Sequence, residues 1–554
     1  MAVKISQLPV GPGPPFQGDE VVALVDTLGT SQASLSTIIT YLSGAEDTDG
    51  ASILAARLKN NYFGCDQTML AGLTVNGAIS GRGNLIVGTS IVTSTPTLGS
   101  VGGGASHCIG GSHSTIGGGN NNRTGSNCVT IGGGCTNVAE SNSTTIGGGQ
   151  DNRDDTCVGG TGGGGCLNQV SGLQGGVGAG RLNVADGDYS TVAGGCQLSA
   201  IGSFTTIGGG LSSCTTKDGA TIGGGSFNIS GGIRSTIAGG GCNKAINTAT
   251  FIGGGHSNIA AGLSSVVVGG NTNCACGTGS AVVGGQGNLV CGNHAFIGGG
   301  CSSVVGGEAS AAAAGVSNTV EGLSSFIGAG GTNTIASGTE SSSIVGGINN
   351  CIYGSAVVGF IGGGTANKAC CSYTAVAGGQ INLAAGEYSF IGGGYSNSVC
   401  GTEDTIVGGS RNFSSGCGNN FVGGGGSNCV DSTCFSTVVG GLSNCILGSS
   451  MTYGFIGGGC CNRIACCNAA HGVIAGGIKN HVCANNAIIA GGCSNCVTHD
   501  RAAIVGSDIA SVGTDMLHAK CLYLSAGALP TSDPSLAGVV WRDGTDLKIS
   551  VGYL

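Results

Sequence analysis

The chain has 554 residues, of which 118 are glycine, with 8% charged, 4% aromatic and a formal net charge of −9. It is too apolar and too sparsely charged to be disordered, lacks the Gly-X-Y period of collagen, and offers no basic stripe to grip phosphate, which argues against a nucleic-acid partner. The start, Met1-Ala-Val-Lys-Ile-Ser-Gln7, has no apolar secretory stretch and no long apolar run follows, so the expectation is a protein made in a cytoplasm with neither export nor membrane insertion.

Residues 1–44 read as a small α/β module. Val21 to Val25 has the composition of a strand, and Leu35, Ile38, Ile39 and Leu42 carry the spacing of a short amphipathic helix over Ser31–Leu42. Residues 45–98 read as a neck, with a short helix over Ala51–Asn60 and a period-two strand pattern through Leu73–Val87.

Residues 99–512 are a repeat. Taking the apolar residue before the glycines as the mark, the series runs Val101, Ile116, Ile131, Ile146, Thr161, Val177 and onward to Ile504, giving 27 marks. Nineteen of the 26 intervals are 15 residues; the other seven are 16, 17 or 18. A short fixed period of this length means stacked coils rather than a globular core. Asn falls six residues after the mark in 21 of the 27 repeats, as at Asn122, Asn137 and Asn228. Gly and Asn both tolerate positive φ, so they are expected to turn the corners, and stacked Asn side chains can bond along the coils. The mark and the residue after the Asn are the expected core. Parallel strands about 4.8 Å apart would make 27 coils roughly 130 Å long. Such narrow apolar ladders are expected to need neighbouring chains, three packed side by side.

The 29 cysteines follow the repeat. Cys108, Cys214, Cys274, Cys351, Cys429, Cys445 and Cys496 occupy the slot after the Asn, where other repeats have Val138, Ile229 or Leu289; Cys135, Cys196, Cys301, Cys460 and Cys493 recur four residues after the mark. They read as free thiols replacing buried aliphatics, with disulfides between coils or chains, and then metal, as the alternatives. Residues 513–554 read as a closing segment: a Pro-delimited turn, then two strands joined at Asp543-Gly544 in a β-hairpin carrying Trp541, which either plugs the end of the coils or contacts a ligand.

Three strings carry a family resemblance. Ile5-Ser-Gln-Leu-Pro9, Gly18 to Asp26 and Ser34 to Leu42 resemble the module by which many phage tail fibres and virion proteins attach to the particle. Leu529 to Ser550 resembles a C-terminal string of phage fibre proteins. The Gly-Gly-x-x-Asn repeats are similar to the head repeats of trimeric autotransporter adhesins, which form trimeric β-rolls. The fold expected is therefore all-β, a repetitive parallel β-roll or β-solenoid of 15-residue coils, homotrimeric, with a small α/β N-terminal anchor and a β-hairpin C-terminal cap.

No chemistry stands out. The glycine strings lack the Lys-Ser/Thr of a phosphate loop; His107 and His113 read as a solvated pair, and Asp154-Asp155 and Asp186/Asp188 as solvated turns. No catalytic, cofactor-binding or metal-binding residue is assigned, and no cofactor is expected. The resemblance implies a non-enzymatic tail-fibre protein of the virion, assembled in the host cytoplasm. It would attach through residues 1–44 to baseplate or other virion proteins and recognise a polysaccharide or protein of the host surface. A baseplate or decoration protein, an ice-binding β-solenoid and a cellular adhesin are the alternatives; the Thr column before the mark is single, short of the paired array that ice binding wants. Candidate receptor contacts are Tyr353, Phe360, Tyr453 and Phe455, in the long repeats that must bulge outward, and Trp541.

Overall fold

The computed structural model describes residues 98–519, except 156–157, 449–452 and 466–469, and in addition the strands Gln67–Met69, Leu85–Val87, Thr89–Val92, Val540–Asp543 and Asp546–Ile549. The module read over residues 1–44 lies outside the described residues, as does the helix read over Ala51–Asn60. The described chain is all-β: a parallel β-solenoid of about 27 coils of roughly 15 residues. It divides into an N-terminal unit, Met1–Thr272, and a C-terminal unit, Asn273–Leu554.

One coil of the N-terminal unit serves for all. Thr221–Ile222 pairs in parallel with Thr236–Ile237 of the next coil and forms the first ladder. Ile229–Ser230 pairs with Lys244–Ala245 and forms the second, and Ser226 bridges to Gly241 between them. Backbone amides of Thr221, Gly223, Ser226, Ile229 and Gly231 all donate forward to carbonyls of the next coil, at 2.7 to 2.9 Å. Phe227 and Arg234 adopt left-handed φ values of 57° and 55°. Reversing the peptide there turns their N–H groups backward, to Leu211 O and Asp218 O at 2.9 and 2.8 Å. The turns are thus made by the residue before the Asn and by the third residue before the mark, together with a glycine; the Asn itself does not take the left-handed conformation, contrary to the sequence expectation.

Two further expectations change. The inward residues are the mark and the second residue after the Asn, not the first: Ile237 with Ala245 and Ile252 with Ala260 are fully buried, whereas Ile229 is outward. Strand alternation requires this, because the buried Asn and the residue two beyond it share a face. In the long repeat near residue 161 the core position is Gly162, paired with Ile146, while Thr161 faces out beside Thr145. The inner ladders are also closed within a single chain, so their burial needs no neighbour.

Extra residues in the long repeats fall in the return segment after the second ladder. Ile344 is followed eight residues later by Ile352, as Ile222 is by Ser230. The first ladder also runs upstream of Val101: Ile86 pairs with Val101, and Thr68 with Ile86. At the other end Leu517–Ala519 joins it beside Ala503–Val505. The C-terminal hairpin forms as read, Val540–Asp543 antiparallel to Asp546–Ile549, with Trp541 opposite Lys548.

Candidate functional site: the outward faces of the coils

The interior is a hydrogen-bonding device. Asn243 Nδ2 donates to Gly239 O of its own coil at 3.1 Å and to Gly255 O of the next at 3.0 Å. Its backbone N–H donates to Asn228 Oδ1, and its own Oδ1 accepts from Asn258 N, each at 3.0 Å. Every polar atom of this buried side chain is satisfied, so a column of amides runs through the core without desolvation loss. His107 occupies the same slot in an early coil. It is fully buried; its Nδ1 accepts from Asn122 N at 3.2 Å and its Nε2 lies 3.0 Å from Gly103 O. It therefore stands in for an Asn, and the solvated pair with His113 does not form.

Asp404 is the other buried polar group of note. It occupies the slot two residues before the mark that usually holds Ser or Thr, as at Ser389. It accepts from Ser414 Oγ at 2.7 Å and Asn420 N at 2.8 Å. Burial pushes its carboxyl above the usual aspartate range, and those hydrogen bonds only partly oppose the rise. Asp154 also faces the core rather than solvent, contrary to the expectation of a solvated turn.

The thiols are not buried substitutes for aliphatics. Every described cysteine is half-buried or exposed, including Cys108, Cys214 and Cys274 in the outward slot after the Asn. Cys417 and Cys434 form a disulfide between adjacent coils. Cys276 and Cys291, also on adjacent coils, bring their sulfurs to 2.7 Å. Among the described residues no group of three His, Cys, Asp or Glu side chains could hold a metal ion.

The aromatic candidates separate. Phe360 and Phe455 lie in regular first-ladder positions, paired with Ser343 and Thr437, and do not bulge. Tyr353 stands beyond the second ladder. Tyr453 lies at a return corner, stacked between Phe435 and His471 of the flanking coils with centroids 5.3 and 5.0 Å away. The side chain of Trp541 lies outside the described residues.

Placing Phe360 and Phe455 on the first ladder uncovers a pattern that single-repeat reading missed. In the C-terminal unit the outward position before the mark holds Phe296, Phe326, Phe360, Phe390, Phe421 and Phe455 in every second coil. Each is followed two residues later by Gly, and a methyl on Gly298 would sit 3.4 Å from Phe296 Cε1, so the ring lies over its glycine. The intervening coils hold small residues before the mark and Val or Ala after it, such as Ser343 with Val345 and Thr405 with Val407. In the N-terminal unit the same outward positions are mostly Thr and Gly, as Thr206 with Gly208. A Phe-Ile-Gly string, Phe-Val-Gly at Phe421, recurring every second repeat is the signal by which the sequence could have revealed this.

No family model matches the chain, and no curated protein matches it.

Proposed function

We propose that this chain is a structural fibre protein of a phage tail, held to the virion by residues 1–44 and acting by binding the host surface rather than by catalysis. The observation that supports it is the economy of the coil. Each coil adds about 4.8 Å of length and spends its interior on a self-satisfying Asn column and two small apolar ladders. Such a scaffold is suited to carrying load and setting spacing. The resemblance of residues 5–42 and 529–550 to phage fibre modules supplies the direction of attachment. Several copies of the chain, three by the resemblance, would bind multivalently, so that weak contacts add into firm adsorption.

Electron microscopy of particles carrying a tag fused to the N-terminus tests the reading. The tag is expected at the tail, and particles lacking the chain are expected to lose adsorption. A tag on the capsid, or full adsorption without the chain, would overturn it.

A further inference from the structure

We propose that the outer face of the first ladder in the C-terminal unit, with its alternating Phe-x-Gly and small-x-Val/Ala coils, is the surface through which copies of this chain pack against one another. The inference rests on the multi-chain part of the reading above and is independent of attachment to a virion.

Four observations converge on it. First, the face is apolar without structural need. Phe296 and Phe326 are 39% and 41% exposed and Val345 is 52% exposed, while the same backbone positions in the N-terminal unit carry mostly Thr and Gly, with Phe251, Val266 and Val268 the large apolar exceptions at its end. No residue of either outward column in the C-terminal unit is charged. Apolar patches beyond a few hundred Å² on a soluble surface mark contact sites.

Second, the face is levelled. The ring of Phe390 lies over Gly392, with a methyl on that glycine only 3.4 Å from Cε1, and in the next coil Val407 stands in the column that Gly392 leaves empty. The result is an even apolar pavement rather than a cleft, suited to another flat surface.

Third, the pattern has a pitch of two coils, roughly 9.6 Å at the usual strand spacing. A partner that engages every ring must repeat at that pitch along the whole face. A copy of this chain does so automatically.

Fourth, the extent is sufficient. From Ala281 to Ala503 the two columns span roughly 65 Å of stacked coils. At a width of about 10 Å they offer roughly 650 Å² per copy, or about 1,300 Å² across a pair, above the ~1,000 Å² that a specific interface needs. A polysaccharide fits less well. Its hydroxyl groups lose water on docking and need polar replacements, and apart from Ser343, Thr405 and Thr437 these columns supply none.

The experiment is the mass of the full chain in solution by sedimentation, for wild type, for the double variant Phe326→Asp/Phe390→Asp, and for the matched N-terminal control Thr130→Asp/Thr206→Asp. Circular dichroism follows folding. Wild type and control are expected as multimers, and the Phe variant as a single chain with an unchanged spectrum. If the Phe variant stays multimeric, this proposal fails while the multi-chain reading survives. If wild type is a single chain, both fail. A single-chain wild type that is retained by host polysaccharide, and released by the Phe changes, would reassign the face to glycan binding and overturn the proposal. Should the variant lose its β spectrum, photo-crosslinking decides: benzoylphenylalanine replacing Phe326 is expected to yield a chain-to-chain product, and the same group replacing Thr206 none. The reverse result overturns the assignment.

Discussion

The side-chain oxygen of Asn122 accepts hydrogen bonds from both nitrogens of Asn137, the backbone N–H at 3.0 Å and Nδ2 at 3.1 Å. Asn137 then donates to Gly133 O and Gly149 O, at 2.9 Å each, and presents its own oxygen to Asn152. One buried side chain thus ties three successive coils. The bonds that would otherwise be left to water are made inside a core too narrow to admit it, so the column both fills the interior and fixes the register of the stack.

Removing one rung is expected to be costly. Asn243→Ala strands Gly239 O and Asn258 N, leaves Gly255 O with the Gly241 N–H alone, and should lower stability by about 3 kcal/mol, since unpaired buried groups cost roughly 1–3 kcal/mol each. The ladder is interrupted at Leu198 and Ser213. Ser213→Asn should restore the donors that neighbouring coils have and raise stability by about 1 kcal/mol. Local hydrogen exchange of the flanking coils, rather than a global midpoint, is the measurement, because coils of a repeat protein unfold semi-independently. Equal exchange rates in both variants would refute the role given to the column.

The glycines differ in kind. Gly225 has φ +90°, and a methyl there would overlap Gly240 O, whereas nothing lies within 4 Å of a methyl on Gly224. Gly225→Ala is expected to destabilise its coil by several kcal/mol, of order 3 or more through strain and overlap. Gly224→Ala should be near neutral. Protease resistance of the two variants, compared at equal temperature, separates these outcomes; similar resistance would count against the close packing described.

Asp404 gives a pH dependence with a definite sign. Its folded-state pKa is raised, so the unfolded chain ionises first, from the ordinary value of 3.8 upward. Across that window the folded state holds the extra proton, and stability falls as pH rises through it, then levels once the folded group ionises. Asp404→Ser places a hydroxyl where Ser325 already serves, accepting from Ser342 N at 3.2 Å. The variant should match wild type at acid pH and exceed it at neutral pH. Thermal melts at pH 3 and pH 7 test it; an advantage confined to pH 3 would contradict the assignment.

The Cys276–Cys291 pair should close to a disulfide under a mild oxidant such as oxidised glutathione, losing two hydrogens to the reagent, which is reduced to its thiol. Adjacent in-register coils satisfy the separation a disulfide needs. Cys291 is pushed up to about 11, first by burial and then by the hydrogen bond and charge of Cys276. Closure and alkylation at this site should therefore be slow at neutral pH and accelerate as pH approaches that value. Peptide mapping after alkylation reads both. Rapid labelling of Cys291 at pH 7 would be inconsistent with its surroundings.

Much of this was legible in the repeat. The register marks, the stacked-coil architecture and the C-terminal hairpin follow from Ile-Gly-Gly spacing and from Asp543-Gly544, because local period and turn chemistry are written residue by residue. The bonding of Asn along the stack was legible too, but its conformation was not. Asn and Phe at neighbouring positions such as Asn228 and Phe227 differ in which one turns left-handed, and that is decided by which side chain the core accepts. The same ambiguity displaced the core by one residue, from Ile229 to Ser230. It also misplaced the thiols, since an apolar residue in a short strand says little about which side it faces.

The period and the parallel stacking were readable residue by residue, because they depend on spacing along one chain. Folding was needed to show that the core closes within a single chain, that His107 serves as an Asn, and that Phe360 and Phe455 belong to one outward pavement. Those facts depend on residues a whole coil or two apart becoming neighbours, and it is the hydrogen-bonded register between coils that brings them together.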